Sequence, residues 1–357
     1  MPNREEYNLV QMSEAKFFAV DPKLEDYWRA IILFGRNVAS YKFALAKSLL
    51  ELAPQGKTII TLEDLAEPYS RHIVEHIKEV KTQTTSRSSR FLDACQQFGA
   101  QEISKTKLID TTVSLGFENV IDAFHNLSAG ETPVRFFTDE RKGAAKGIRL
   151  TDELFELLQV LQAENLPSEV EARWRLVENA WELKISPKLI SVDYDPTREL
   201  LFTFGENRRR VDLTSCRDGL NGYQKGRCFY SFAEISILYG SPNLADVDHF
   251  FPFVLHEYIK NIDGVWNLVL ASVDCNRGKD GKFDRLPHID YLERLYNRNE
   301  FLITSHHPLR ETLIKQSGST PEKRRLFLQA VYNTSQAILG NGKSDGWKAP
   351  FEYPNTF

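Results

Sequence analysis

The spacing of apolar residues changes near residue 190, and that change restricts the chain to an architecture mixing helices with strands. Before it, Tyr27, Ile31, Phe34, Val38, Tyr41, Leu45 and Leu49 recur every three or four positions. They draw one apolar stripe along a predicted long helix. Thr61 reads as the cap of a second helix through Leu62, Leu65, Ile73, Val74 and Ile77, which Pro68 should interrupt or bend. Residues 90–98 predict another helix, and residues 107–127 one or two more. Thr151 reads as the cap of a helix carrying Leu154, Phe155, Leu158 and Leu161. Ser168 and Glu171 stand in capping-box register ahead of Trp174, Val177 and Trp181. Residues 130–147, with their Gly, Pro and charge, read as a loop.

From Ile190 the period becomes two. Ile190, Val192 and Tyr194 alternate with polar residues, Asp195-Pro196-Thr197-Arg198 is a strong turn, and Leu200, Phe202 and Phe204 alternate on the return. A β-hairpin is expected there. Helix returns over residues 289–301. Ser319 and Glu322 form a second capping-box register, with Pro321 between them, before Leu326, Ala330, Val331 and Ile338. The tail from Gly340 to Phe357 reads as irregular. The expected fold class is α+β, with a helical domain over 1–189, a domain over 190–300 opened by the hairpin, and a helical C-terminal extension over 301–357.

The chemistry is concentrated in the second of these. Ala245-Asp246-Val247-Asp248-His249-Phe250-Phe251-Pro252 is followed by Trp266-Asn267-Leu268-Val269-Leu270 and then by Cys275-Asn276-Arg277-Gly278-Lys279. A carboxylate and an amide carbonyl are hard oxygen ligands suited to a divalent cation that keeps positions for water and phosphate. An imidazole beside them, with an ordinary pKa near ~6.5, takes a proton from water at neutral pH. The apolar neighbours Val247, Phe250, Phe251, Leu268 and Leu270 suit short elements packed behind such a centre.

Over Arg217 to Gly281 these residues resemble the HNH endonucleases, also called ββα-metal or His-Me finger nucleases, in their Asp-His…Asn…Asn form. The resemblance implies a ββα-metal domain hydrolysing phosphodiester bonds with Mg²⁺ or Mn²⁺. In it Asp248 and Asn276 would bind the metal, His249 would be the general base, and Asn267 would orient the loop or the imidazole. Lys279, Arg277 and the run Arg208, Arg209 and Arg210 are the expected phosphate contacts. Relatives commonly carry two Cys-x-x-Cys pairs that hold a structural zinc. Here Cys228 is followed by Ser231, and Ser272 precedes Cys275, so one sulfur of each pair is replaced by a hydroxyl, a poor zinc ligand. No structural zinc is expected, and the two cysteines read as small packed side chains.

With 357 residues, 42% of them hydrophobic and 26% charged, the composition excludes a disordered or low-complexity chain. No secretory signal or bilayer-length apolar run is apparent, and four cysteines make no disulfide framework. A cytoplasmic protein without a membrane partner is expected. The net charge of −4 leaves nucleic-acid binding to a local basic face.

Other polar residues have plainer readings. His256 reads as a surface or hydrogen-bonded residue. His288, His306 and His307 have no matched ligand partner, and Ser305-His306-His307-Pro308 reads as a helix start. Asp246 shares a face with Asp248 if their strand is regular. His72 and His76 read as solvent-facing neighbours on one helix face. The leading expectation is a nuclease acting on double-stranded DNA, in anti-phage defence or restriction, with defence-system proteins as partners. Nuclease action on RNA, as in a toxin, and a degenerate HNH fold that only binds nucleic acid are the alternatives.

Overall fold

The computed structural model describes residues 22–34, 39–86, 88–127, 130–160, 163–182, 192–204, 210–304, 309–340 and 346–357. Val38, Leu161, Ile190, Arg208, Arg209 and the run Ser305 to Pro308 lie outside them. The fold is mixed α+β with small antiparallel sheets, and it divides near residue 185 into two compact units.

The first unit is mainly helical. The stripe read as one long helix is two, α1 (Leu24–Phe34) and α2 (Tyr41–Leu52), because Ala39 leaves the helix to bridge Thr84. After β1 (Ile59–Thr61) comes α3 (Leu62–Glu79), whose cap Thr61 accepts a hydrogen bond from the Asp64 amide at 3.0 Å. Pro68 does not break α3. It is buried, and packing along the helix outweighs one lost backbone bond. Helices α4 (Arg90–Gly99), α5 (Lys105–Thr111) and α6 (Val120–Ala123) follow.

The expected loop at 130–147 contains a strand. β2 (Phe137–Glu140) and β3 (Gly147–Leu150) join β1 in an antiparallel sheet of order β1-β3-β2. Gly147 allows this, since a Cβ there would lie 2.0 Å from the Ile60 carbonyl oxygen. Two predicted caps also differ. Thr151 precedes α7 (Asp152–Leu157), but its hydroxyl donates to the Arg135 carbonyl at 2.6 Å. α8 (Leu166–Glu182) begins before Ser168, so Glu171 is free of the capping box and faces α3 instead.

The core of this unit gathers Trp28, Phe43, Leu49, Tyr69, Phe91, Phe124, Phe136 and Trp174. Charges are buried with it. Arg29 forms a two-pronged pair with Glu169 at 2.8 and 3.0 Å. His72 and His76 are also buried, against the solvent-facing expectation. The His76 ring stacks on Trp174 at 3.5 Å and sits between Glu178 (2.7 Å) and Glu171 (3.1 Å).

The second unit opens on the hairpin. β4 (Asp193–Asp195) and β5 (Leu200–Phe204) pair antiparallel, with the Asp195 carboxylate accepting from the amides of Thr197 and Arg198 at 3.0 and 3.2 Å. β6 (Arg210–Ser215) extends the sheet to order β4-β5-β6, and α9 (Cys216–Gln224) follows. A second, two-stranded sheet pairs β7 (Asp246–His249) with β8 (Leu268–Ala271), and α10 (Val273–Arg277) comes directly after it. The C-terminal helices α11 (Ile289–Thr304), α12 (Arg310–Ser317) and α13 (Pro321–Leu339) belong to the same unit. The cap of α13 is Thr320, not Ser319, because Pro321 takes the first helical position and Thr320 accepts from the Lys323 amide at 3.3 Å. Residues 346–357 form no helix or strand. Among the described residues no helix is long and apolar enough to cross a membrane.

Candidate active site

β7, β8 and α10 follow one another as a ββα unit, and the strand register sets the directions of Asp246, Asp248 and His249. Asp246 faces Ala271, Asp248 faces Val269 and His249 faces Leu268 across the pair. The strand is regular, so Asp246 and Asp248 share one face and His249 points to the other. Ser272 is the single residue between β8 and α10, and its hydroxyl caps the helix by accepting from the Cys275 amide at 3.3 Å. That short link brings Asn276 back toward β7, where its amide donates to Asp246 at 3.1 Å.

Asp248 is buried, and both of its oxygens are used. The Tyr230 hydroxyl donates to one at 2.6 Å, and the Lys282 ammonium lies 3.2 Å from the other. Burial pushes the Asp248 carboxyl above the ordinary carboxylate value, against the pull of Lys282 and the Tyr230 hydroxyl. Lys282 reaches this place through a tight turn. Its amide donates to the Cys275 carbonyl at 2.7 Å, and the next amide, of Phe283, donates to Asn276 at 2.9 Å. Gly281 permits the turn, since a Cβ there would sit 2.8–2.9 Å from the Gly278 nitrogen and the Asn276 oxygen.

His249 is partly exposed and pairs with Asp263, Nε2 to carboxylate, at 2.8 Å. An ionised carboxylate only accepts, so Nε2 is the donor of this pair, and in a neutral ring the lone pair is then on Nδ1. The imidazole lies beside the Tyr194 and Phe253 rings, 6.3 and 5.6 Å between centroids. Asn267 is fully buried, and its amide ties the strand to the loop beyond it. It accepts from the Phe251 amide at 2.8 Å and donates to the carbonyls of Phe251 (3.0 Å) and Ile262 (2.9 Å). Its contacts are with this loop, which presents Asp263, and not with the imidazole itself.

Behind β8, Gln224 brackets Leu270 with two hydrogen bonds of 2.8 Å, and the Phe229 amide donates to the Leu270 carbonyl at 2.9 Å. This brings the segment after α9 alongside β8 and assembles four dispersed residues. The thiols of Cys228 and Cys275 share a hydrogen bond, with Ser231 and Ser272 bonded to the same pair. Burial opposes ionisation of Cys228, yet hydrogen bonds from Cys275, Ser231 and the Ser272 backbone hold its thiol below the ordinary range. Cys275 is pushed up correspondingly, as the donor to that sulfur.

Among the expected phosphate contacts, Lys279 is exposed on the turn after α10, and Arg277 is held by Asp246 at 2.7 Å with most of its side chain exposed. Arg210 begins β6; Arg208 and Arg209 lie outside the described residues. His256 is exposed and bonded to the Phe253 carbonyl at 3.2 Å, and His288 pairs with Asp290.

Tyr230, Asp263 and Gln224 were not foreseen as members of the site. Tyr230 and Asp263 reach the site from segments without regular period, and Gln224 is a polar residue at the end of α9 whose type alone does not mark it as buried. Lys282 follows Arg277 and Lys279 in the sequence, and its basic character alone does not separate it from them. Among the described residues no three side chains of His, Cys, Asp and Glu converge on one point. The oxygen donors of the motif are Asp246 and Asp248, on one face of β7, and the side-chain carbonyl of Asn276, whose amide nitrogen bonds to Asp246. All are hard, and in chemistry they fit Mg²⁺ or Mn²⁺ better than a softer ion. No family model, curated protein or solved structure matches this chain.

Proposed function

We propose that the protein is a metal-dependent HNH endonuclease that hydrolyses phosphodiester bonds, acting on double-stranded DNA as a defence or restriction effector. The single observation that carries this reading is the ββα unit, with Asp248-His249 on its first strand and Asn276 on its helix. The His249–Asp263 pair adds to it, because a carboxylate on one imidazole nitrogen prepares the other to accept a proton. In the mechanism, His249 Nδ1 takes the proton of the attacking water while Asp263 holds the ring and balances its new charge. Asn267 keeps the loop bearing Asp263 in place. Asp248 and Asn276 would hold Mg²⁺ or Mn²⁺, which supplies charge stabilisation for the phosphate and the departing 3′ oxygen. Arg277 and Lys279 are the proposed phosphate contacts, with Arg208, Arg209 and Arg210 before them in the chain. The protein would work in the cytoplasm, beside defence-system partners.

One observation favours a second reading, a nucleic-acid-binding protein that no longer cuts: Asp248 already carries a cation of the protein, Lys282. Digestion separates the two. Supercoiled plasmid, linear duplex and total RNA are incubated with the protein and Mg²⁺, with and without excess chelator. Cleavage of duplex DNA that chelator abolishes, and that His249→Ala lowers by about 10²–10⁴-fold at an unchanged melting temperature, is the expected result. Cleavage confined to RNA would move the substrate to the RNA class. Undiminished cutting by a folded His249→Ala protein would remove the assignment.

A further inference from the structure

A lysine buried against the candidate metal ligand is the least expected feature of this site. The Lys282 side chain is 1% exposed and that of Asp248 7%, and their charges meet at 3.2 Å. Burying an ammonium is costly unless a counter-charge and hydrogen bonds receive it. Here Asp248 supplies the charge, and the Phe283 carbonyl accepts a further hydrogen bond at 3.0 Å. The Tyr230 hydroxyl occupies the other Asp248 oxygen. The carboxylate is thus neutralised and fully coordinated by the protein's own groups. A divalent cation arriving at Asp248 would meet an ammonium at close range in a poorly screened site, where like charges repel strongly. Lys282 stands on the turn shaped by Gly281 and outside α10, on a stem of four methylenes that can swing without unwinding a helix.

We propose that Lys282 is a resident counter-ion of Asp248 that a divalent cation must displace, so that the chain alternates between a lysine-filled and a metal-filled site. This rests on the nuclease reading of Asp248 but concerns cation exchange and not cleavage. In the metal-free protein Lys282 keeps Asp248 folded inward; with metal bound its ammonium is outside the carboxylate. Metal affinity is consequently set by competition with a group inside the same chain.

Two measurements on the full-length protein test it, both without substrate. Calorimetric titration with Mn²⁺ compares wild type, Lys282→Met and the double variant Lys282→Met/Asp248→Asn. Lys282→Met should bind Mn²⁺ about 10-fold tighter or more, since a neighbouring positive charge has gone. Its melting temperature should fall by roughly 5–10 °C without metal, from an uncompensated buried carboxylate, and recover with Mn²⁺. The double variant should neither fall as far nor respond to the ion. The second measurement needs no variant. Lysine acetylation, read residue by residue by mass spectrometry, should find Lys282 protected without metal and labelled several-fold faster in saturating Mg²⁺.

Equal Mn²⁺ affinity in wild type and Lys282→Met would overturn the exchange, as would continued protection of Lys282 in a wild-type protein that binds Mg²⁺. Either result would leave the nuclease reading standing if that protein still cuts DNA. Absence of divalent binding in every variant would overturn both. A Lys282→Met protein that fails to fold leaves the acetylation result to decide.

Discussion

His249 ends β7 opposite Leu268, and Asn267 stands just before β8 on a short helical turn, yet the two are held in opposite ways. His249 touches Asp263 and keeps one nitrogen for chemistry, whereas every polar atom of the Asn267 amide is consumed by backbone. Removing the second side chain strands an amide and two carbonyls in the interior. Asn267→Ala should therefore cost about 2–4 kcal/mol of stability, the scale expected for unsatisfied buried groups. Urea denaturation of the folded variant checks this, and an unaltered midpoint would mean that water or loop movement replaces the amide. Asp248, His249 and Asn276 were legible as a motif through its resemblance to a known family, and the structure places them on β7 and α10, where strand alternation and a one-residue link determine where they point. Asp263 was not, because it comes from the loop between β7 and β8, and no period marks which loop carboxylate will turn back. Tyr230 was hidden for the same reason.

At the scale of elements, the helical half shows how packing overrides local signals. Ser168 and Glu171 have the spacing of a cap, but α8 starts earlier and Glu171 serves α3. The strands β1, β2 and β3 are three or four residues long, too short to display alternation, and β1 finds its partner β3 far along the chain, Ile59 opposite Arg149. The α3–α8 contact is built on His76, Glu171 and Glu178, with Lys47 and Arg175 on the outer side of Glu171. Burial works against the His76 imidazolium, but the two carboxylates outweigh it and hold His76 above its ordinary value of 6.5. Protonated His76 therefore adds stability that is complete below about pH 6.5 and fades as pH rises through the raised value. Burial likewise opposes the Glu171 carboxylate, yet His76 and Lys47 hold it below its ordinary 4.5. Its contribution is present above that value and is lost as pH falls through the depressed one. Thermal melting of the helical unit should peak in mildly acidic buffer, between those limits, and decline toward pH 8.5. His76→Gln should flatten the alkaline decline. If the variant declines as steeply as wild type, the dependence arises elsewhere.

Over the whole molecule, the change of period near residue 190 and the division near residue 185 fall within a few positions of each other. The first unit has a core of its own, and a self-contained core is what independent folding requires. Residues 21–185 produced alone should melt cooperatively, as followed by circular dichroism at 222 nm. A fragment without a sigmoidal transition would show that this half depends on the rest of the chain. On the proposed nuclease reading, the complementary fragment, lacking residues 1–185, should keep weak cutting but lose target choice or control, which plasmid digestion beside the full chain checks. Within the first unit, the Arg29–Glu169 pair spans 140 residues, and Ile59 pairs with Arg149. As the chain emerges from a ribosome, the guanidinium of Arg29 has no carboxylate to receive it until α8 is made, and β1 has no neighbour until β3 appears. The early helices α2 to α5 have one another to pack on before then, so what waits for β3 and α8 is the sheet and the Arg29–Glu169 pair. Completion of the unit therefore comes late and slowly, as expected where contacts are distant in sequence.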